Sequence, residues 1–167
     1  MRNRIQRNSR SGFSLTELLI VIAIILIIVA AALPRLTRAR MFAEETAAIR
    51  AVSVMHTAQT QYYSQFGRYA TSLTELGPPA SGAAGPTGAD LLDRELGEGR
   101  KGGYMFAIQG NPQGYVISAQ PKQFGTNGSR TFFSDQTQII RNRFSNEPAT
   151  PQDPEIGSTD KPTADKK

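Results

Sequence analysis

The chain has 167 residues, room for one modest domain, with no Cys and a single His. Disulfides, thiolate metal sites, a cysteine nucleophile and any multi-histidine metal centre are therefore excluded. The formal charge of +5 is concentrated at the start, because Arg2, Arg4, Arg7 and Arg10 precede Gly12; without them the 19 basic residues fall to 15 against 14 acidic ones. So neutral a remainder gives no electrostatic case for nucleic-acid binding.

From Leu18 to Leu33 every residue is Leu, Ile, Val or Ala. With Phe13 and Leu15 the apolar run reaches about 21 residues, roughly 31 Å as a helix and enough to span a bilayer. The basic start, the apolar run and Ala30-Ala31-Ala32 also fit a secretory signal peptide, and a plain N-terminal anchor fits as well. Against the signal peptide stand the length of the run and the stretch GFSLTE between the arginines and the aliphatics. Arginines flank both ends of the run, so the positive-inside rule favours a cytoplasmic N-terminus only modestly.

Neither reading explains Glu17. A carboxylate at mid-bilayer costs on the order of 2.5–3.5 kcal/mol, less near the interface, and it needs a partner. A cut between Gly12 and Phe13 would place a new α-ammonium about one helical turn before Glu17. That is a countercharge, in the same chain or in a neighbour. Glu17 would also lie in the first turn of the helix, where the macrodipole favours an anion.

Arg-Ser-Gly, then Phe13-Ser14-Leu15-Thr16-Glu17-Leu18 and an aliphatic run, resembles the leader of type IV prepilins and related type II secretion pseudopilins. The resemblance implies that prepilin peptidase cuts after Gly12 and N-methylates Phe13. It implies that Glu17 pairs with the α-ammonium of an adjacent subunit during assembly, and that Pro34 kinks the helix. It also implies an α+β pilin fold: a long N-terminal helix whose C-terminal half packs on a small antiparallel sheet.

Beyond Pro34 the pattern turns amphipathic. Ala48, Ala51, Met55, Ala58, Tyr62 and Phe66 recur at intervals of three or four, and Gly67 is a C-terminal stop. Pro34 is expected to bend or locally melt the helix rather than end it. His56 has no second ligand in view and reads as a satisfied or surface histidine. Tyr62 and Phe66 read as a helix face packing on a sheet. Arg35, Arg38 and Arg40 read as interfacial anchors and inter-subunit partners of Glu44 or Glu45.

Residues 67–103 form a connecting segment: a turn and short segment over 67–77, a Pro/Gly loop over 78–90, and a helical turn within 91–99. YMFAI (104–108), YVISA (115–119), RTFFS (130–134) and TQIIR (137–141) read as about four antiparallel strands, with a turn at Gly110–Gly114. Such a sheet needs the amphipathic helix to bury its inner face. Its sequence also resembles the sheet of bacterial pilin-like proteins. Residues 145–167 carry four prolines and read as a disordered tail.

The division expected is therefore a leader at 1–12, a membrane or fibre-core half-helix at 13–34, an amphipathic half at 35–66, the connection at 67–103, the sheet at 104–144 and the tail. No catalytic set emerges. Asp90, Asp93, Glu95 and Glu98 lack calcium-loop spacing, and Asp135 reads as a turn residue. Neither cofactor nor metal is expected, and the chain reads as a non-enzyme.

The resemblance implies a structural filament subunit, inserted in the inner membrane with its N-terminus cytoplasmic and assembled into a surface or periplasmic filament. Its implied partners are further copies, other pilins, prepilin peptidase and an inner-membrane assembly platform. The alternatives are a type II secretion pseudopilin and a minor or DNA-uptake pilin using Arg130, Arg141, Arg143, Lys101 and Lys122. Many type IV pilins pin the C-terminal segment with a disulfide; without Cys, this chain needs packing, strand pairing or neighbouring subunits instead. The calcium pattern of the major pseudopilin is not apparent, which shifts weight towards a pilus subunit.

Overall fold

The structure, a computed structural model, describes residues 13–111 and 113–158. Its contacts divide the chain into two units, one ending at Thr37 and one beginning at Arg38. Helix α1, Leu15–Phe66, contributes to both. Its first part holds an 18-residue window of mean hydropathy 3.0, none of it buried, long and apolar enough to cross a membrane. The helix continues through Pro34. A lone proline removes one i→i−4 hydrogen bond without obliging a helix to stop.

In the second unit α1 supplies Ala48, Ala51, Val52, Met55, Ala58 and Tyr62 to a buried core, with Phe66 packed at its margin. This is the stripe that the helical period marked out. Alanines on the stripe bring the helix axis close to its neighbours, and Met55 and Tyr62 fill the remaining space. The helix stops at Gly67, whose φ of 70° lies in the left-handed region open to glycine.

Two single-turn helices follow, α2 (Leu73–Leu76) and α3 (Arg94–Gly97), the second within the expected 91–99 stretch. Among the described residues five strands then form one antiparallel sheet in chain order: β1 (Arg100–Lys101), β2 (Tyr104–Asn111), β3 (Gly114–Pro121), β4 (Thr131–Asp135) and β5 (Ile140–Arg143). Alternation sends Tyr104, Phe106 and Ile108 of β2 inward, opposite Pro121, Ala119 and Ile117 of β3. Phe132 of β4 continues the row from Ala119, so a single inner face meets the α1 stripe. Trimming a fully buried member such as Ile117 to Ala would cost about 2–5 kcal/mol.

The sheet departs from the expected four strands in two places. Strand β1 is only two residues long, too short for any periodicity, and Gly102 (φ 54°) folds it onto β2. Strand β5 begins three residues later than TQIIR suggested. The Asp135 carboxylate accepts from the Thr137 N–H (2.9 Å) and hydroxyl (2.6 Å), and Gln138 takes a φ of 64°, so the turn runs longer.

Polar clamps tie the connecting loops to α1. The buried Gln59 amide donates to the Ala70 carbonyl and accepts from its N–H, both at 2.9 Å. The Tyr62 hydroxyl donates to the Pro86 carbonyl at 2.7 Å. Glu45, 5% exposed, accepts from the Ser129 N–H (2.7 Å) and hydroxyl (2.8 Å) and pairs with Arg130 at 2.8 Å. Glu44 accepts from the Gly103 N–H at 2.8 Å. Glu45 is therefore neutralised within its own head, which leaves Glu44, held only by a neutral amide, as the carboxylate still able to answer an arginine of another subunit. A carboxylate buried as deeply as Glu45 must find its donors locally.

The expectation of a disordered tail is also corrected for residues 145–158; the remaining residues, 159–167, lie outside the described residues. The segment returns to the free edge of β5. Asn142 N–H donates to the Pro154 carbonyl (3.0 Å), Ile156 N–H donates to the Ile140 carbonyl (2.9 Å), and Arg141 bridges Glu155 in antiparallel register. Proline has no N–H to offer a further strand, so the strap also blunts the sheet edge. Asp153 pins it, accepting from Arg143 Nε (3.0 Å), the Thr150 N–H (2.6 Å) and the Thr150 hydroxyl (2.9 Å). Composition foretold disorder because the strap is held by backbone and ionic bonds rather than by aliphatic side chains.

His56 is satisfied, as expected, and it joins α1 to the sheet. Ser134 donates its hydroxyl to the Ile139 carbonyl, so its oxygen accepts from the His56 Nε2–H at 2.8 Å. Nδ1 then accepts from the Tyr115 hydroxyl at 2.8 Å. Burial lowers the His56 pKa below its ordinary value, partly offset by the charge of Asp135. Burial likewise raises the Tyr115 phenol to about 12, helped by Tyr69 and Asp135.

Two outcomes are expected. Burial opposes ionisation of Asp153, yet the hydrogen bonds from Thr150 and Arg143 outweigh it and lower its pKa. Its contribution is thus present above its unfolded value near 4 and lost as pH falls through the folded value. Asp153→Ala should raise amide exchange at Asn142 and Ile156 roughly tenfold or more, an effect of about 1–3 kcal/mol on the strap; unchanged exchange would show that the pin is dispensable. For His56 the lowered pKa makes the neutral ring stabilising above about 6.5, with loss as pH falls through the folded value. An NMR titration of this single histidine should give a midpoint below that value. Asp135→Asn should move the midpoint lower still, and a rise would contradict the assigned electrostatics.

Candidate functional site at the start of helix α1

Phe13 and Ser14 are non-helical, and α1 begins at Leu15. Ser14 therefore occupies the N-cap and Glu17 the third helical position. The Ser14 N–H donates to Glu17 Oε2 at 3.0 Å, and the Thr16 N–H reaches the Ser14 hydroxyl oxygen at 3.3 Å. The Ser14 carbonyl accepts the first helical bond, from Leu18 N–H at 3.2 Å. This is a reciprocal capping box, Ser-x-x-Glu, which satisfies backbone donors that a helix start otherwise leaves open.

The box is written in Ser14 and Glu17, three positions apart and immediately before an apolar run. It changes the question that Glu17 poses. The carboxylate has a hydrogen-bond partner in its own chain, but that partner is a neutral amide. Among the described residues Glu17 makes no ion pair, so its charge is capped without being neutralised. A glutamine could cap equally well; only a carboxylate can also answer an ammonium.

The structure places the other predicted site residues as follows. Phe13 is 83% exposed and outside the helix, with Glu17 in the first turn beyond it. Gly12, on the other side of the expected cut, lies outside the described residues. Pro34 falls within the helical span of α1. From Leu18 to Val29 the aliphatic side chains that begin the run are exposed, without a packing partner among the described residues.

The remaining charged groups weighed in the sequence have other uses. Asp93 caps α3 by accepting from the Leu96 N–H at 3.0 Å and pairs with Lys101, and Glu98 pairs with Arg100. Among the described residues no group of three or more His, Asp or Glu side chains could hold a metal ion. Of the cations considered for nucleic acid, Arg130 is bound to Glu45, Arg141 to Glu155, and Arg143 to Asp153 and Glu147. Lys122 donates to the Gly102 carbonyl at 2.8 Å.

Comparison with known proteins bears on this same segment. Residues 7–33 match the family model for the prokaryotic N-terminal methylation motif. No curated protein matches the chain. The matched span takes in the expected cut, the capping box and the whole aliphatic run. Together with the long helix and antiparallel sheet, which fit a pilin fold, it shows that the chain carries the N-terminal methylation motif that is the hallmark of type IV pilins and pseudopilins.

Proposed function

We propose that the chain is a structural subunit of a type IV pilus-like filament, held in the inner membrane as a precursor until prepilin peptidase cuts between Gly12 and Phe13 and N-methylates Phe13. The observation that carries this reading is a wholly unburied aliphatic helix whose capped start lies inside the methylation motif. Bilayer lipid surrounds that helix before assembly. A bundle of equivalent helices surrounds it afterwards, so apolar contact is conserved across the transfer. Pro34, which lacks the N–H for one helical bond, is where this reading puts a bend in α1.

Glu17 gives the bundle its register. Its Oε2 is held by the Ser14 N–H, while the ammonium of a neighbour's Phe13 supplies the missing charge. An unneutralised carboxylate in an apolar core is costly, so only docked positions that present an ammonium are tolerated. The engaged cations of the head give no support to a nucleic-acid-binding role. A pseudopilin of a type II secretion system would use the same helix and the same pair, and it is the alternative job for the same assembly.

Comparing Glu17→Gln with Glu17→Ala separates capping from charge. Both variants should be cleaved at close to the normal rate, because the scissile bond precedes the helix. Both should lose filament yield by about tenfold or more, although glutamine preserves the box. Normal filament yield from processed Glu17→Gln protein, measured by shearing and immunoblot, would show that capping suffices and would end the register argument.

A further inference from the structure

One apolar feature of the second unit is neither core nor membrane helix. Ile49 of α1, Ile139 and Ile140 at the start of β5, and Ile156 of the strap line a groove of about 350 Å³, with Glu155 as its acidic member. The groove exists because the strap returns to β5 and lays Ile156 beside Ile140. Ile139 remains 37% exposed. Glu155 is half-exposed and touches Arg141 only at 3.3 Å.

On the same chain α1 carries a feature of complementary character. Phe42 is 67% exposed. Arg38, one helical turn earlier and on the same face, is exposed and has no carboxylate partner among the described residues. Of the nearest acids, Glu45 is paired with Arg130 and Glu44 is held by the Gly103 N–H, neither making an ion pair with Arg38. Phe42 cannot enter the groove of its own subunit, because Ile49 lies on its own helix seven residues further on, about 10 Å along the axis.

We infer that the isoleucine groove is the docking site for Phe42 of a second copy, with the second copy's Arg38 reaching Glu155. Charge decides the occupant: an aromatic ring with a cation one turn away matches an aliphatic groove bearing one carboxylate, whereas an anionic lipid headgroup would be repelled. Knob and groove occupy different places on the chain. The contact is therefore heterologous and leaves an unused knob and an unused groove at the ends, which is what open-ended growth needs. This inference rests on the filament reading and adds a head-level contact to it.

The absence of Cys makes the test clean. Full-length Ile139→Cys and Phe42→Cys single variants are co-expressed and mildly oxidised, both in membranes holding processed subunits and in sheared filaments. The expected product is a covalent heterodimer whose linked peptides contain positions 42 and 139. Arg38→Glu in the copy bearing Phe42→Cys, or Glu155→Arg in the copy bearing Ile139→Cys, should each lower its yield at least about threefold, and the two together should restore it. Filaments that form without this heterodimer, homodimers through either single position in its place, or a yield indifferent to both charge changes would overturn the groove contact while leaving the filament reading intact. Heterodimer in membranes with no filaments would instead overturn the filament reading alone.

Discussion

An aliphatic helix segment with no packing partner among the described residues is the constraint on which everything else in this chain depends. Leu18 to Leu33 offers water nothing but Leu, Ile, Val and Ala, and burying one such large side chain is worth about 1.5–3 kcal/mol. Sixteen successive apolar positions, twelve of them Leu, Ile or Val, cannot remain solvated, so the segment must always have lipid or other helices around it. The head has a core of its own, filled by the later part of α1 and the inner face of the sheet. What remains for the sequence to specify is where the segment starts and what it may dock against, and both problems meet at Ser14 and Glu17.

The head solves a separate problem, that of holding long loops without disulfides. It does so with polar clamps placed where each loop crosses a rigid element. Gln59 takes both backbone groups of Ala70, Glu45 gathers Ser129 and Arg130, and Asp153 gathers Thr150 and Arg143. Each clamp fixes a loop by several bonds to one side chain, so each is sensitive to a single substitution in a way that a distributed apolar contact is not. The strap closes the outer edge of β5, and in doing so it builds the isoleucine groove beside it.

Much of this was legible in the chain. The α1 stripe, Gly67 as its stop, the helical turn of α3 and the long strands β2 and β3 all follow from periodicity and turn chemistry, because burial there is aliphatic or aromatic and regularly spaced. The methylation motif was legible because residue type, order and position coincide over a short span. What escaped shares a different physics. Strand β1 is too short to have a period. The late start of β5 depends on one carboxylate capturing a neighbouring Thr. The strap, read as disordered, is held by backbone bonds at a sheet edge and by Asp153, none of which leaves an apolar trace. The clamp made by Glu45 escapes sequence reading because Ser129 and Arg130 lie far away in the chain. The capping box was present in the letters and was obscured by a stronger question about charge.

The central claim is that the working protein begins at Phe13, just ahead of α1, with a charged amine about one turn from Glu17. N-terminal sequencing and intact-mass analysis of the mature protein test it most directly. The account requires a chain starting at Phe13 and carrying an N-methyl group. A mature start near Leu33, after the Ala30-Ala31-Ala32 stretch, would make the segment a discarded signal peptide and would contradict it.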